Sequence, residues 1–170
     1  RMLWNVYSFY VLYANTDSLS PSALSAPAPG ERSEMDRWIL AELHDTTRAV
    51  TACMDEFDCT TAGRRIESFV DELSNWYVRR ARGRFWKDAA DQDKAAAHAT
   101  LYECLTTVIR LVAPFMPFVA DELWDNLIGS VDASAPDSVH LSDWPSFDQA
   151  LIDETLRASM DDARRVVSLG

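Results

Sequence analysis

Arginine and aromatic side chains crowd into one short stretch of this chain. Between Leu73 and Lys87 stand Arg79, Arg80, Arg82, Arg84 and Lys87, interleaved with Trp76, Tyr77, Phe85 and Trp86, and no acidic residue interrupts them. A guanidinium grips phosphate through paired N–H bonds, where an ammonium offers only a point charge. Flat rings stack on unpaired bases. The chemistry open to this run is recognition of a polyanion with accessible bases, single-stranded RNA above all. If about five phosphates were contacted, log K against log [salt] would slope near −3.5 on the single-strand coefficient. The alternative is a helix that outruns its core, its last turns solvated or paired with acids. The preference for arginine discriminates weakly, because only Lys87 and Lys94 are lysines in the whole chain.

Other reactive residue types form no recognisable constellation. His44, His98 and His140 are far apart, and none has a Cys or His at ligand spacing, so no zinc site is expected. Asp71-Glu72, Asp121-Glu122 and Asp161-Asp162 are adjacent carboxylates. Neighbours on a helix point about 100° apart, which suits solvated faces or caps better than acid–base work. No Ser-His-Asp or Cys-His set and no glycine-rich phosphate loop can be placed.

The charge balance must be read locally. The chain has 170 residues, 27 Asp and Glu against 16 Lys and Arg, and a formal net charge of −11. From Arg64 to Lys87, seven basic residues less three acids leave +4; elsewhere, nine basic less 24 acidic residues leave −15. A protein that coats nucleic acid with its whole surface is excluded, but one that presents a single basic segment is not. Cys53, Cys59 and Cys104 cannot all pair and show no C-x-x-C spacing, which points to a reducing, cytoplasmic setting. No apolar run reaches the roughly 18 residues of a membrane helix.

Six helical segments must position the basic run, so the expected fold is an all-α bundle in one domain, residues 1–170. Leu3 to Ala14 is apolar on nearly every face and is expected to be buried all round. That implies a chain that begins inside a larger protein, or a helix docked on a neighbour. Residues 17–33 read as a loop. A helical core over 34–129 follows: one helix from a Ser33–Asp36 cap to about Glu56, with an inner stripe of Met35, Trp38, Ile39, Leu43, Val50 and Phe57; one from Asp58–Thr61 to about Trp86; one carrying Leu101 to Phe115 and stopped by Pro114; and one from Pro117 to Gly129. Over 130–170, an extended piece at Ser138–Pro145 precedes a last helix capped by Asp153, with Leu156, Met160, Ala163 and Val167 inward. On the third helix, at 100° per residue, Ile66, Phe69, Leu73 and Tyr77 lead into Arg80, Arg84 and Lys87 on the same face.

Leu73-Ser-Asn-Trp-Tyr-Val-Arg-Arg-Ala-Arg-Gly-Arg-Phe-Trp86 resembles the signature of the anticodon-binding domain of isoleucyl-tRNA synthetases, within the class I aminoacyl-tRNA synthetases. The resemblance spans the chain through Leu3-Trp-Asn-Val-Tyr-Ser-Phe, Asp36-Arg-Trp-Ile-Leu, Ala113-Pro-Phe-Met-Pro-Phe-Val-Ala-Asp-Glu-Leu-Trp124 and Ser138-Val-His-Leu-Ser-Asp-Trp-Pro145. The last two are shared with valine and leucine relatives; the Trp-Tyr-Val-Arg-Arg run points to isoleucine. The resemblance implies a helical bundle that follows a catalytic domain of the same chain and holds the anticodon stem-loop of isoleucine tRNA. Trp76, Arg79, Arg80, Arg82, Arg84, Phe85, Trp86 and Lys87 would contact the RNA. It implies no cofactor here, since the HIGH and KMSKS-type motifs of the ATP- and magnesium-using catalytic part are absent. One departure stands out: Ala81 and Gly83 occupy positions where the family usually has a small polar residue and a further arginine. The competing reading is a non-RNA bundle whose arginines dock on a neighbouring domain.

Overall fold

A computed structural model describes residues 1–17, 25–88 and 91–169 of the chain. Among them all regular structure is helical, in six main helices that match the expected segments. They are α1 (Met2–Thr16), α2 (Glu34–Asp55), α3 (Cys59–Glu72 and its continuation to Trp86), α4 (Gln92–Val112), α5 (Pro117–Trp124, continued through Asp125–Gly129) and α6 (Glu154–Leu169). Part of the expected 17–33 loop, residues 18–24, lies outside the described residues; the rest holds a 3₁₀ turn at Pro29–Glu31.

Local chemistry accounts for the helix ends. The Ser33 hydroxyl accepts the Asp36 N–H, and the Asp58 carboxylate accepts that of Thr61, so two orphan donors are satisfied at the starts of α2 and α3. Asp91 caps α4 by accepting from Asp93 and Lys94 N–H, and the Asp153 carboxylate accepts from Leu156 N–H before α6. α4 starts at Gln92, well before the apolar stripe that begins at Leu101. Ala95, Ala96, Ala97 and Ala99 carry the helix there by intrinsic propensity, without a hydrophobic pattern.

α2 is the hub and packs against α3, α4 and α6. Trp38, Ile39, Leu43 and Val50 of α2 meet Phe69 and Leu73 of α3 and Leu101, Leu105, Val108 and Ile109 of α4 in one core cluster. Each such side chain contributes about 1.5–3 kcal/mol by leaving water. Phe57, expected on the inner stripe, is instead 90% exposed. Its φ of +60° ends α2, with Asp58 N–H reaching back to Cys53 O, and this left-handed turn throws the ring outward. α1 also departs from expectation. Leu3, Val6, Tyr10 and Ala14 are buried along one stripe, whereas Trp4 and Leu12 stay in solvent. The helix therefore seats one face on α3 and α4 and leaves the other uncovered.

The segment after α5 is irregular rather than extended, with a 3₁₀ turn at Val139–Leu141. It does cross the bundle: Val139 is buried, and Asp121 of α5 accepts from Ser138 Oγ at 2.6 Å and Val139 N–H at 3.1 Å. α6 buries no side chain fully; Leu156 and Met160 rest against the core, but Ala163 and Val167, expected inward, are exposed. Arg157 holds α6 instead, bonded to Glu42 at 3.0 Å and Asp45 at 2.6 Å on α2.

Candidate functional site

The basic segment is the end of α3, and it is not a uniform helix. Leu73–Val78 is wound as a π turn, Arg79–Ala81 as α-helix and Arg82–Trp86 as 3₁₀ helix. A π turn holds an extra residue, and a 3₁₀ turn holds fewer than an α turn. Side chains after the π turn therefore fall behind a projection made at 100° per residue. After Tyr77 the inward positions are Val78, Ala81, Arg84 and Phe85, and Arg80 leaves the inner face. The expected row of Arg80, Arg84 and Lys87 is split into separate environments.

Arg84 turns inward onto Asp36, whose side chain is fully buried. Its two terminal nitrogens donate to the two carboxylate oxygens at 2.7 and 2.6 Å. Tyr77 Oη donates to the same carboxylate at 2.6 Å and Ser33 Oγ at 2.8 Å. Arg84 also reaches Asp93 through Oδ1 at 2.7 Å and the carbonyl at 3.0 Å. Burial disfavours the Arg84 charge, but these acceptors outweigh it and hold the guanidinium protonated more firmly than usual. Burial, and then the Asp36 charge, push the Tyr77 phenol well above its ordinary range, so it remains a donor. A buried ion pair survives only when its remaining valences are filled, and here they are.

Phe85 is also interior, against His98 at 4.6 Å, Phe9 at 5.0 Å and Tyr13 at 5.9 Å between ring centres. Arg84 and Phe85, expected to contact RNA, are thus placed in the packing that fastens α3 to α1, α2 and α4. Tyr77, counted among the aromatics of the basic run, is buried too. Lys87 is exposed but already bonded to Asp93 at 2.8 Å, with Asp91 at 3.6 Å. The acid-paired reading of the helix end therefore describes Arg84 and Lys87.

Arg79, Arg80 and Arg82 remain in solvent, while the ion pairs of the segment belong to Arg84 and Lys87. The Arg80 guanidinium lies 4.0 Å from the centre of the half-buried Trp76 ring, a cation–π contact that flattens it against the helix. Arg82 leans the other way, 5.7 Å from the Phe9 ring of α1. Trp86 is 65% exposed, and its Nε1 donates to Tyr13 Oη at 2.7 Å, which pins the edge of the indole and leaves a face open. Gly83 sits between them with open space where a side chain would project. It makes no close backbone approach and belongs to the helix end.

Two participants were not singled out by sequence reasoning. Asp36 reads as part of an N-cap, and nothing local in the sequence assigns it to Tyr77 and Arg84, respectively 41 and 48 residues away. Arg164 of α6 donates to Glu72 at 2.8 Å and brings its guanidinium within 5.4 Å of the Trp76 ring. The adjacent carboxylates are occupied as expected of caps and faces: Asp121 by the 138–139 segment, Glu72 and Asp161 by Arg164, and Asp162 by Arg165. Among the described residues no group of three or more His, Cys, Asp or Glu is placed to hold a metal, and no helix is long and apolar enough to cross a membrane.

Known proteins align with this arrangement. The isoleucine–tRNA ligase of Dehalococcoides mccartyi (strain ATCC BAA-2266 / KCTC 15142 / 195) is 55% identical over 169 residues, 99% of this chain and 16% of that protein. The Thermus thermophilus ligase of the same name is 51% identical over 98% of this chain and 16% of its own length, and that of Clostridium tetani 46% identical over 99% and 16%. The chain thus spans about a sixth of the length of these curated relatives. A family model described as the anticodon-binding domain of tRNA ligase matches residues 36–170. Because that match opens on the buried carboxylate at Asp36 and runs through the basic segment into α6, the chain belongs to the anticodon-binding domain family of tRNA ligases.

Proposed function

We propose that this bundle holds the anticodon stem-loop of an isoleucine tRNA, as one part of an isoleucine–tRNA ligase. The observation that carries the reading is the exposed set of Arg79, Arg80 and Arg82 with Trp86, set on a domain otherwise rich in acids. The arginines supply phosphate contacts, and the open Trp86 face supplies a platform for an unpaired base. Arg84 and Phe85 act one step back: they fix the backbone from which the exposed groups project. Surrounding negative charge repels RNA from the other faces and so favours a single approach.

The three free guanidinium groups revise the expected salt dependence. On the single-strand coefficient of about 0.7 per phosphate, log K should fall against log [salt] with a slope near −2. Titration of a labelled isoleucine anticodon hairpin at several salt concentrations tests this. Arg79→Ala with Arg80→Ala should weaken binding about tenfold or more and flatten the slope, with the unfolding midpoint unchanged. Binding that ignores salt, or that survives the double substitution, would defeat the reading.

The partner, localisation and cofactor readings follow from the same ligase assignment. The exposed Trp4 and Leu12 of α1 flank an apolar recess lined by Leu3, Ile66, Val70, Val112 and Phe115, and we infer that another domain of the same polypeptide, the catalytic one, covers this side. Charging of tRNA with isoleucine, using ATP and magnesium in the cytoplasm, belongs to the whole ligase; no ATP or magnesium site is assigned to this chain.

A further inference from the structure

Beside Trp76 a groove of about 760 Å³ opens between α3 and α6. Its walls are Asp71 and Trp76 on α3 and Asp161, Arg164, Arg165 and Ser168 on α6. We infer that this groove receives one unpaired RNA base whose edge carries an exocyclic amino group, and that Arg165 of α6 joins Arg79 and Arg80 in holding the flanking phosphates. The inference rests on the RNA reading above and extends it to an element outside the basic segment.

Three observations point the same way. First, the Trp76 ring is held, not loose: Arg80 lies at 4.0 Å and Arg164 at 5.4 Å from its centre, and Glu72 fixes Arg164 at 2.8 Å. A ring and guanidinium planes kept in place by packing and by a partially buried ion pair form a ready stacking surface for a base. Second, the cations are at the rim. Arg165 is 78% exposed and has only a 3.8 Å approach to Asp162, one turn away, so it is free to meet phosphate. Third, Asp71 and Asp161 in the walls are acceptors only. Asp71 already takes Asn75 Nδ2 at 2.7 Å, and Asp161 is half-exposed near Arg164 at 3.5 Å. Carboxylates in the walls repel a phosphate from the groove and accept N–H bonds from an amino-bearing base edge. Adenine, cytosine and guanine offer such an edge, whereas uracil presents two carbonyls. The charge layout therefore separates a place for a base from places for its phosphates.

The test is an abasic scan. An isoleucine anticodon hairpin is made with each loop nucleotide in turn lacking its base, and affinities are measured for the 170-residue chain and for two groove variants, Arg165→Glu and Ser168→Trp. Both substitutions fall on exposed positions in the last turns of α6, and thermal melts verify that the fold is kept. The wild-type chain should lose about tenfold in affinity when one amino-bearing loop base is removed. Replacing that base by uracil should cost a similar factor. Ser168→Trp, which fills the end of the groove, should weaken the intact hairpin about as much and abolish the difference between intact and abasic RNA. Arg165→Glu should weaken both RNAs and reduce the salt slope. An abasic profile identical in wild type and Ser168→Trp overturns the inference. If binding still depends on Arg79 and Arg80 in that case, the RNA reading stands without the groove; a wild-type chain that shows no salt-dependent hairpin binding overturns the RNA reading itself.

Discussion

Two groups of side chains share the end of α3 and differ in nearly everything but composition. Tyr77, Arg84 and Phe85 face inward, where the guanidinium meets a fully buried carboxylate and the rings meet α1 and α4. Trp76, Arg79, Arg80, Arg82 and Trp86 face the solvent or lie half in it, and their arginines are free of carboxylates. An arginine in this segment is therefore a fastener or a handle according to the winding of the helix beneath it. The inner group consumes its hydrogen-bonding capacity within the fold; the outer group keeps its capacity for a ligand. The two should respond to different perturbations, the inner to acid and truncation and the outer to salt.

The largest effect expected is on the inner side. Asp36→Ala removes the acceptor of two Arg84 bonds and leaves a buried cation, at a cost of about 3–5 kcal/mol. Urea denaturation would register it as a lower midpoint, while any molecules still folded should retain salt-dependent RNA binding. A variant of full stability that no longer binds the hairpin would dissolve the division, because Arg84 would then belong with the outer group.

Acid gives a second, smaller separation. His98 is buried against Phe85, and burial, assisted by the Lys94 ammonium and only partly opposed by Asp17, lowers its pKa from 6.5 to about 4. The unfolded chain therefore takes up the proton first. The stability from this group is complete above pH 6.5 and is lost as pH falls towards 4, about 3 kcal/mol in all at roughly 1.4 kcal/mol per pH unit. Thermal melts across that window should show the decline, and His98→Leu should flatten it. Retention of the full acid slope in His98→Leu would move its origin elsewhere.

The smallest effect sharpens the outer side. Gly83 has open space around it and no left-handed φ, so Gly83→Ala should stabilise the chain by about 0.5–1 kcal/mol through the unfolded state. Gly83→Arg, which restores the family's usual residue, should tighten the anticodon hairpin a few-fold and steepen the salt slope by about 0.7. If Gly83→Arg stabilises the fold but leaves the RNA titration unmoved, the handle group stops short of this position.

What could be read from the chain before folding followed from physical locality. The caps at Ser33, Asp58 and Asp153 are satisfied by residues three positions on, so they are written in adjacent letters. The stripe from Leu101 to Val112 is visible because its period is its packing. The first turns of α4 were hidden because alanines hold a helix without marking a face. The uncovered face of α1 resembles a buried one in composition, since apolar letters do not say whether a neighbour is present. The site was legible as a cluster and illegible as a geometry. Arg79, Arg80, Arg82 and Trp86 stand where the run placed them, but Arg84's partner is 48 residues away and α6 adds Arg164 from farther still.

The π turn at Leu73–Val78 has a consequence best put in genetic terms. It is a helix carrying one codon more than its regular hydrogen-bond ladder needs. Delete a single codon within it, and the ladder can close as ordinary α-helix while everything downstream swings by about 100°. Every arginine and tryptophan of the signature would survive in the translated text, yet Arg84 would swing away from Asp36 and the exposed set would point in a new direction. For this segment an in-frame deletion that spares the whole motif is more damaging than the loss of any one of its letters.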